Sequence, residues 1–200
     1  VMAESLGMTM PGIAGTPAPD SRLLEQAHAT GRLAVEMVNQ DRRPSEVMTR
    51  GSFLNAIVAL AAFGGSTNAV VHLLAIAGRL GVDLTLEDFD RTGAGVPLLV
   101  NLQPAGTFLM EDLHRAGGVL AVLNQVNDLL DPDAVTVTGS TLVSYLGDAR
   151  TWDDTVIHPR ENPIIADAGI AVLRGDLAPD GAVLKIAAAS PHLLKHRGRA

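Results

Sequence analysis

The sequence predicts an α/β protein, helical over most of its length and turning to β-structure near its end. Three observations carry this. Apolar residues recur at helical spacing in several runs before residue 130, and two runs after residue 168 are β-type and bounded by turn residues. The apolar content is 47%, yet only one Trp, one Tyr and four Phe contribute to it, so the core must be built from Ala, Leu, Val and Ile packed at close range. Two hundred residues suffice for one domain or a domain and a half.

In chain order, VMAESLGMTMPG at residues 1–12 reads as the last turns of a helix, ended by Gly7 and then Pro11-Gly12, with no helix start before it. Asp20 or Ser21 caps a long helix to about Gln40, with Leu23, Leu24, Ala27, Gly31, Ala34, Val35 and Val38 at helical spacing, and Arg42-Arg43-Pro44 breaks it. From about Thr49 to Phe63 a second run is apolar on most sides and stops at Gly64-Gly65, so it should be central. Ser66-Thr67-Asn68 cap a third helix that ends at Gly81, and two buried helices are expected to meet at this glycine corner. Thr85-Leu86-Glu87-Asp88 fits a capping box opening a short amphipathic helix.

Pro97 to Val100 is expected as a short buried strand, and Met110 to Leu130 as a helix interrupted or kinked at Gly117-Gly118. Ala134 to Thr138 alternates like a strand, and Thr141 starts another short helix. Thr151 to Pro163 is polar, holds two prolines and the single Trp, and marks a domain boundary. Gly169 to Arg174 and Ala182 to Ala188 are β-type runs, separated by turn chemistry at Gly175-Asp176 and Pro179-Asp180-Gly181. No terminating signal stands between Ser190 and Ala200.

The bulk numbers exclude several classes of function. A net charge of -7 argues against a nucleic-acid partner, since phosphate backbones are held by clustered Lys and Arg. No apolar run reaches the roughly 20 residues that span a bilayer, and Val1-Met2-Ala3-Glu4 has no signal-peptide pattern. A cytoplasmic location without membrane contact is the expectation. Zero cysteine excludes disulfides, thiolate metal sites and a Cys nucleophile within this chain.

The residues most suggestive of chemistry are Gly65, Ser66, Thr67 and Asn68 beside Gly64. Successive backbone N–H groups at a helix N-terminus, flanked by two hydroxyls and an amide, suit a carboxylate or phosphate. The alternative is a tight turn with a cap, which spacing alone favours because small residues are common at such corners. A phosphate loop is excluded, since no Lys follows the glycines. His72, four residues after Asn68, either lines the same pocket or is buried and bonded to backbone, the second being the plainer reading. Glu111, Asp112 and His114 invite a metal reading but lack the spacing of four that a helical metal site uses, so a solvated or capping role is the better one. His28, His158, His192 and His196 have no acidic or Ser partner in a motif, and no triad can be argued.

The string MTRGSFLNAIVALAAFGGSTNAVVHLLAIAGRLGVDLTLEDFDR, from Met48 to Arg91, resembles the dihydroxy-acid dehydratase and phosphogluconate dehydratase family. The resemblance continues in the family's order through VPLLVNLQPAGTFLMEDLHRAGGVLAVL, DAVTVTGSTL, GIAVLRGDLAPDGAVLK and SPHLLKHRGRA, and so covers nearly the whole chain. Within the family, VNLQPAGTFLMEDLHRAGG is more similar to the aldonic sugar-acid dehydratases, arabinonate or xylonate dehydratase, than to the branched-chain biosynthetic enzyme.

The resemblance implies a hydro-lyase that removes water from a 2,3-dihydroxy carboxylate to give a 2-keto-3-deoxy acid. The family uses an iron-sulfur cluster and Mg²⁺ as Lewis acids while a base takes the C2 proton. Three cysteines hold the cluster in the family, all before the segment matching Val1 to Gly12, and the Mg²⁺ ligands and the serine base also lie outside the stretch matched here. The resemblance therefore implies an internal fragment, inactive alone, with residues 1–160 belonging to a helix-rich N-terminal α/β domain. Residues 161–200 would be the first strands of a β-rich C-terminal domain, which on their own would lack strand partners and favour association. It also implies Gly65 to Asn68 as substrate-binding residues, a small hydroxy-acid ligand and a homo-oligomer when full length. The dihydroxy-acid dehydratase of branched-chain amino-acid biosynthesis and a non-catalytic binding module on the same scaffold are the alternatives.

Overall fold

The computed structural model describes residues 1–167, 169–188, 192, 195 and 197. Its centre is helix α4, and the helices leading to it come first. α1 (Met2–Ser5) ends at Gly7, whose φ of 76° is open to glycine at little cost. α2 (Arg22–Asn39) follows, with Asp20 Oδ1 accepting from Arg22 N at 2.9 Å, but no residue of α2 is buried. The short α3 (Pro44–Val47) starts on a proline, which suits a first helical turn because its missing N–H would have no partner there.

α4 (Arg50–Ala62) is capped by Thr49, whose side chain accepts from Ser52 N, and ten of its thirteen residues are buried. One flank, through Val58, Ala59, Ala61 and Ala62, joins a core with Leu99, Leu113, Val122, Leu142 and Ile157. The other, through Phe53, Ala56, Ile57 and Leu60, joins a core with Val70, Leu73, Phe89 and Ile170. A helix lodged between two cores needs apolar residues all round, as its sequence shows.

α5 (Thr67–Leu80) corrects the expectation of two fully buried helices. Only Val70, Leu73 and Ala77 are buried, a stripe at helical spacing, while Val71 on the opposite side is 63% exposed. Gly81 ends it at φ 71°. α6 (Leu86–Gly93) opens as expected, with Asp88 Oδ2 accepting from Thr85 N at 2.9 Å. The interrupted helix is two helices, α7 (Met110–Ala116) and α8 (Gly118–Gln125), parted at Gly117 with φ 128°.

Pro97 to Val100 is buried but forms no continuous strand: Leu98 bridges Ile165 and Val100 bridges Ile157, each as an isolated antiparallel pair. Ala134 to Thr138 is likewise no strand. Thr136 N donates to Ser140 O and Gly139 N to Thr136 O, so a local turn takes the backbone groups that a ladder would have used. A 3₁₀ turn at Leu142–Tyr145 follows Thr141 as expected.

The β-type runs pair with each other, which corrects the expectation that they lack partners: β1 (Ile170–Gly175) and β2 (Ala178–Lys185) form an antiparallel hairpin from Ile170 against Lys185 to Gly175 against Ala178. The two-residue turn is Asp176-Leu177. Pro179-Asp180-Gly181 therefore lies within β2, opposite Arg174, where the register shifts. Pro179 has no N–H to give a ladder and Gly181 has φ 104°, and both fit a bulge rather than a turn. Ile186–Ala188 turns into a 3₁₀ helix, and most of the stretch from Ser190 to Ala200 lies outside the described residues. β1 packs on α6, where Arg174 pairs with Glu87 at 3.3 Å.

Candidate functional site

The C-terminal end of α4 fixes the first wall of a cleft. Gly64, at φ 55°, bends the chain out of the helix, and Gly64 N and Gly65 N donate back to Ala61 O and Leu60 O at 2.9 and 2.8 Å. These bonds use up both glycine N–H groups. Ser66 then caps α5 with its hydroxyl accepting from Asn68 N at 3.2 Å. The N–H groups of Ser66 and Thr67 are left without a protein acceptor among the described residues, as is the Thr67 hydroxyl. They sit at the positive end of a 14-residue helix.

The cleft has a volume of about 780 Å³. Gly64 to Thr67 form one side, the segment from Leu98 to Gly106 another, and Ile164, Ile165 and the end of β2 at Lys185 the third. Leu60, Phe63 and Met110 line it as well, so its walls are mainly apolar, with polar groups at the glycine corner and at Asn101, Gln103 and Lys185. Such a surface, apolar with a few placed donors, is the usual form of a small-molecule site.

Of the residues singled out in the sequence, Gly65, Ser66 and Thr67 line this cleft and Asn68 does not. One position further along the helix turns its side chain about 100° from Thr67, and Asn68 is exposed. His72 is exposed too and outside the cleft, so neither reading of it holds: it lies on the open side of α5, away from the stripe Val70, Leu73 and Ala77. Asp112 is a cap, its Oδ2 accepting from Leu109 N at 2.8 Å, and His114 Nε2 lies 2.9 Å from Arg22 Nη2.

Sequence reading missed the second and third walls. Asn101 braces its own loop, its Oδ1 accepting from Thr107 N at 2.9 Å and its Nδ2 donating to Thr155 O at 3.3 Å. Lys185 was hidden inside a β-type run. The only advance signal was Gly106, which approaches Asn101 too closely for any side chain. Near the cleft Glu4 is buried, and its two oxygens are taken by Gly12 N and Ala14 N at 2.7 and 2.8 Å. Burial pushes its carboxyl above the ordinary range.

The residues present do not fit an iron-sulfur cluster or a protein-held Mg²⁺ site. The chain has no cysteine to supply thiolates, and among the described residues no three His, Asp or Glu side chains come together. No helix among those described is long and apolar enough to cross a membrane.

Comparison with known proteins agrees with the motifs. Residues 1–145 match the dihydroxy-acid/6-phosphogluconate dehydratase N-terminal model and residues 155–200 the corresponding C-terminal model. The L-arabinonate dehydratase of Rhizobium leguminosarum bv. trifolii is 54% identical over 200 residues, covering 99% of this chain and 34% of that protein. The L-arabonate dehydratase of Azospirillum brasilense is 52% identical over 202 residues, covering 100% and 35%. A dihydroxy-acid dehydratase of Acidothermus cellulolyticus is 47% identical over 189 residues, covering 92% and 34%. The chain thus spans about a third of the length of the relatives it matches. By the two domain matches, it belongs to the dihydroxy-acid/6-phosphogluconate dehydratase family.

Proposed function

We propose that this chain is part of a hydro-lyase acting on an aldonic sugar acid, and that Gly65 to Thr67 form a wall of its substrate site, with Ser66 and Thr67 donating to oxygens of that substrate. In the reaction the C2 proton is abstracted, the C3–O bond breaks, water departs and the enol collapses to a 2-keto-3-deoxy acid. The observation that carries the reading is the cleft itself. Two unspent backbone N–H groups and a free hydroxyl meet at a helix N-terminus inside a volume large enough for a five- or six-carbon acid. Such donors favour an anionic or hydroxyl-rich ligand. The relatives' names support the substrate class, since two of them are arabinonate or arabonate dehydratases at 52–54% identity.

Metal and cluster chemistry, which the family implies, would be supplied by groups that this chain does not carry, and no step here is assigned to them. Residues 1–160 form the N-terminal part and residues 161–200 the start of the C-terminal part, a division supported by the change from helices to the β1–β2 hairpin. A cytoplasmic, homo-oligomeric enzyme remains our expectation for the intact protein.

A second reading, the branched-chain dihydroxy-acid substrate, draws on the apolar walls at Leu60, Phe63, Leu98, Ile164 and Ile165. Assaying the intact protein on L-arabinonate, other pentonates and dihydroxyisovalerate decides between them. A strong preference for dihydroxyisovalerate would overturn the sugar-acid choice. Thr67→Val tests the site: KM should rise from a few-fold to about tenfold, the worth of one hydrogen bond. Unchanged kinetics with a lowered melting temperature would make the corner a plain cap.

A further inference from the structure

Gln103 stands on the middle wall of the cleft, where the chain beyond Leu98 turns back on itself. Its backbone N–H donates to Phe108 O at 2.9 Å, Phe108 N donates to Asn101 O at 3.0 Å, and Gly106 N donates to Leu102 O at 2.7 Å. The Asn101 carboxamide spends both of its polar atoms on Thr107 N and Thr155 O. The loop is thus shaped by its own bonds. The Gln103 side chain is fastened at one atom: Nε2 donates to Thr107 O at 3.3 Å, while Oε1 meets no donor among the described residues. On the other walls the backbone N–H groups of Ser66 and Thr67 and the Lys185 ammonium can only donate, and the Ser66 hydroxyl oxygen already accepts from Asn68 N. Donors facing one open carboxamide acceptor suit a hydroxyl, which both gives and takes a hydrogen bond. A carboxylate has no proton to give Gln103 Oε1.

We infer that Gln103 is a specificity-determining residue, its Oε1 accepting from a substrate hydroxyl beyond C3. This rests on the substrate-site reading above. C2 and C3 are the reacting atoms, and the groups that act on them are not carried by this chain, so its cleft is left to read the remainder of the substrate. A sugar acid has hydroxyls there, whereas dihydroxyisovalerate has only methyl groups, which give Oε1 nothing. Asn101 is a positioning residue in this scheme, since its two bonds hold the loop that presents Gln103.

The test uses the intact protein and two substrates of equal chain length: L-arabinonate, and the 2,3-dihydroxypentanoate of the same configuration at C2 and C3, which lacks the hydroxyls at C4 and C5. The parent should favour L-arabinonate in kcat/KM. Gln103→Met, similar in length but without the carboxamide, should lower kcat/KM for L-arabinonate by about tenfold and leave that for the dihydroxypentanoate within about twofold. Gln103→Glu keeps an accepting oxygen and should retain most of the ratio between the two substrates, even where its charge lowers both values. Urea midpoints should stay near the parent's in both variants, since Gln103 is exposed. A parent that turns over the two substrates equally, or a Met variant that loses both in proportion, overturns the inference. If Gln103→Met changes neither substrate while Thr67→Val raises KM, the Gln103 assignment fails and the site reading stands. If Gln103→Met and Thr67→Val both leave the kinetics unchanged, the site reading fails with it.

Discussion

Replacing Gly64 by alanine, with Gly81→Ala measured beside it, tests how tightly the glycine corner is packed. Both glycines end a helix in the left-handed region, at φ 55° and 71°. An L side chain there costs about 1–2 kcal/mol, offset by roughly 0.4–1 kcal/mol because alanine restricts the unfolded chain. Gly81 carries that difference alone, since a Cβ there meets nothing within 4 Å, and Gly81→Ala should cost about 1 kcal/mol or less. At Gly64 a Cβ would stand 2.7 Å from Leu98 Cδ1. Leu98 is 5% exposed, and its backbone is held by bonds to Ile165 O and from Ile164 N at 2.8 and 2.9 Å, so only its side chain can yield. Overpacking of this kind adds about 1–3 kcal/mol, giving a total of about 2–4 kcal/mol for Gly64→Ala. Urea midpoints of the intact protein, compared between variants rather than extrapolated, read the difference without assuming two-state unfolding. Because Leu98 lines the cleft, KM should shift in Gly64→Ala and hold in Gly81→Ala. Equal midpoints for the two variants would refute the packing described for the corner.

Phe53 is fully buried on α4, and Phe53→Ala should lower stability by about 3–5 kcal/mol, read as a lowered urea midpoint. Gly117→Ala should cost more than about 3 kcal/mol, since φ 128° excludes a side chain and its Cβ would lie 2.7 Å from that of Ala121; near-normal melting would contradict the break between α7 and α8. Burial alone would push the Asp88 carboxyl up, but the Arg50 guanidinium at 2.5 Å and the Thr85 N–H outweigh it and hold Asp88 below the ordinary carboxylate range. A depressed folded pKa gives stability that is present above the unfolded value of about 3.9 and lost as pH falls below it. Asp88→Asn should therefore cost about 1 kcal/mol near neutrality, the worth of a helix cap, and its melting temperature should drop less than the parent's on acidification; parallel curves would sink the assignment.

Where local chemistry decides a feature, it could be read from the chain. The cap at Thr49, the stop at Gly64-Gly65, the capping box at Thr85 to Asp88, the break at Gly117 and the existence of two β-type runs all depend on groups within a few residues of each other. The readings that failed depend on partners far away. Ala134 to Thr138 alternates as a strand should, but Val137 N donates to Gly7 O and Thr136 bonds within its own turn, so no neighbouring strand is on offer. Pro179-Asp180-Gly181 has turn composition, but the tighter turn at Asp176-Leu177 closes the hairpin first and leaves those residues to form a bulge. α5 is apolar over most of its length, yet only Val70, Leu73 and Ala77 are buried, with Ala69, Leu74 and Leu80 packing at the edge of that stripe.

The candidate site divides in the same way. Gly65 to Thr67 were legible because a helix N-terminus announces itself locally, while Lys185 and the Leu98 to Gly106 wall were not, because neither has any motif of its own. What joins them is the docking of the hairpin. β1 is held to α6 by the pair Arg174–Glu87 and by Asp90 Oδ1 accepting from Val172 N at 3.5 Å, and that contact sets where β2 ends. The Leu98–Ile165 bridge then ties the middle wall to the segment entering the hairpin. The cleft is thus bounded by elements about 35 to 120 positions apart in sequence, each placed by packing rather than by its own propensity. Loop closure over such separations carries an entropic cost that grows slowly with length, which the packing of these elements offsets. The donors at Ser66 and Thr67 follow α4, ten of whose thirteen residues are buried, while the third wall belongs to the hairpin whose tip residue Leu177 is fully exposed.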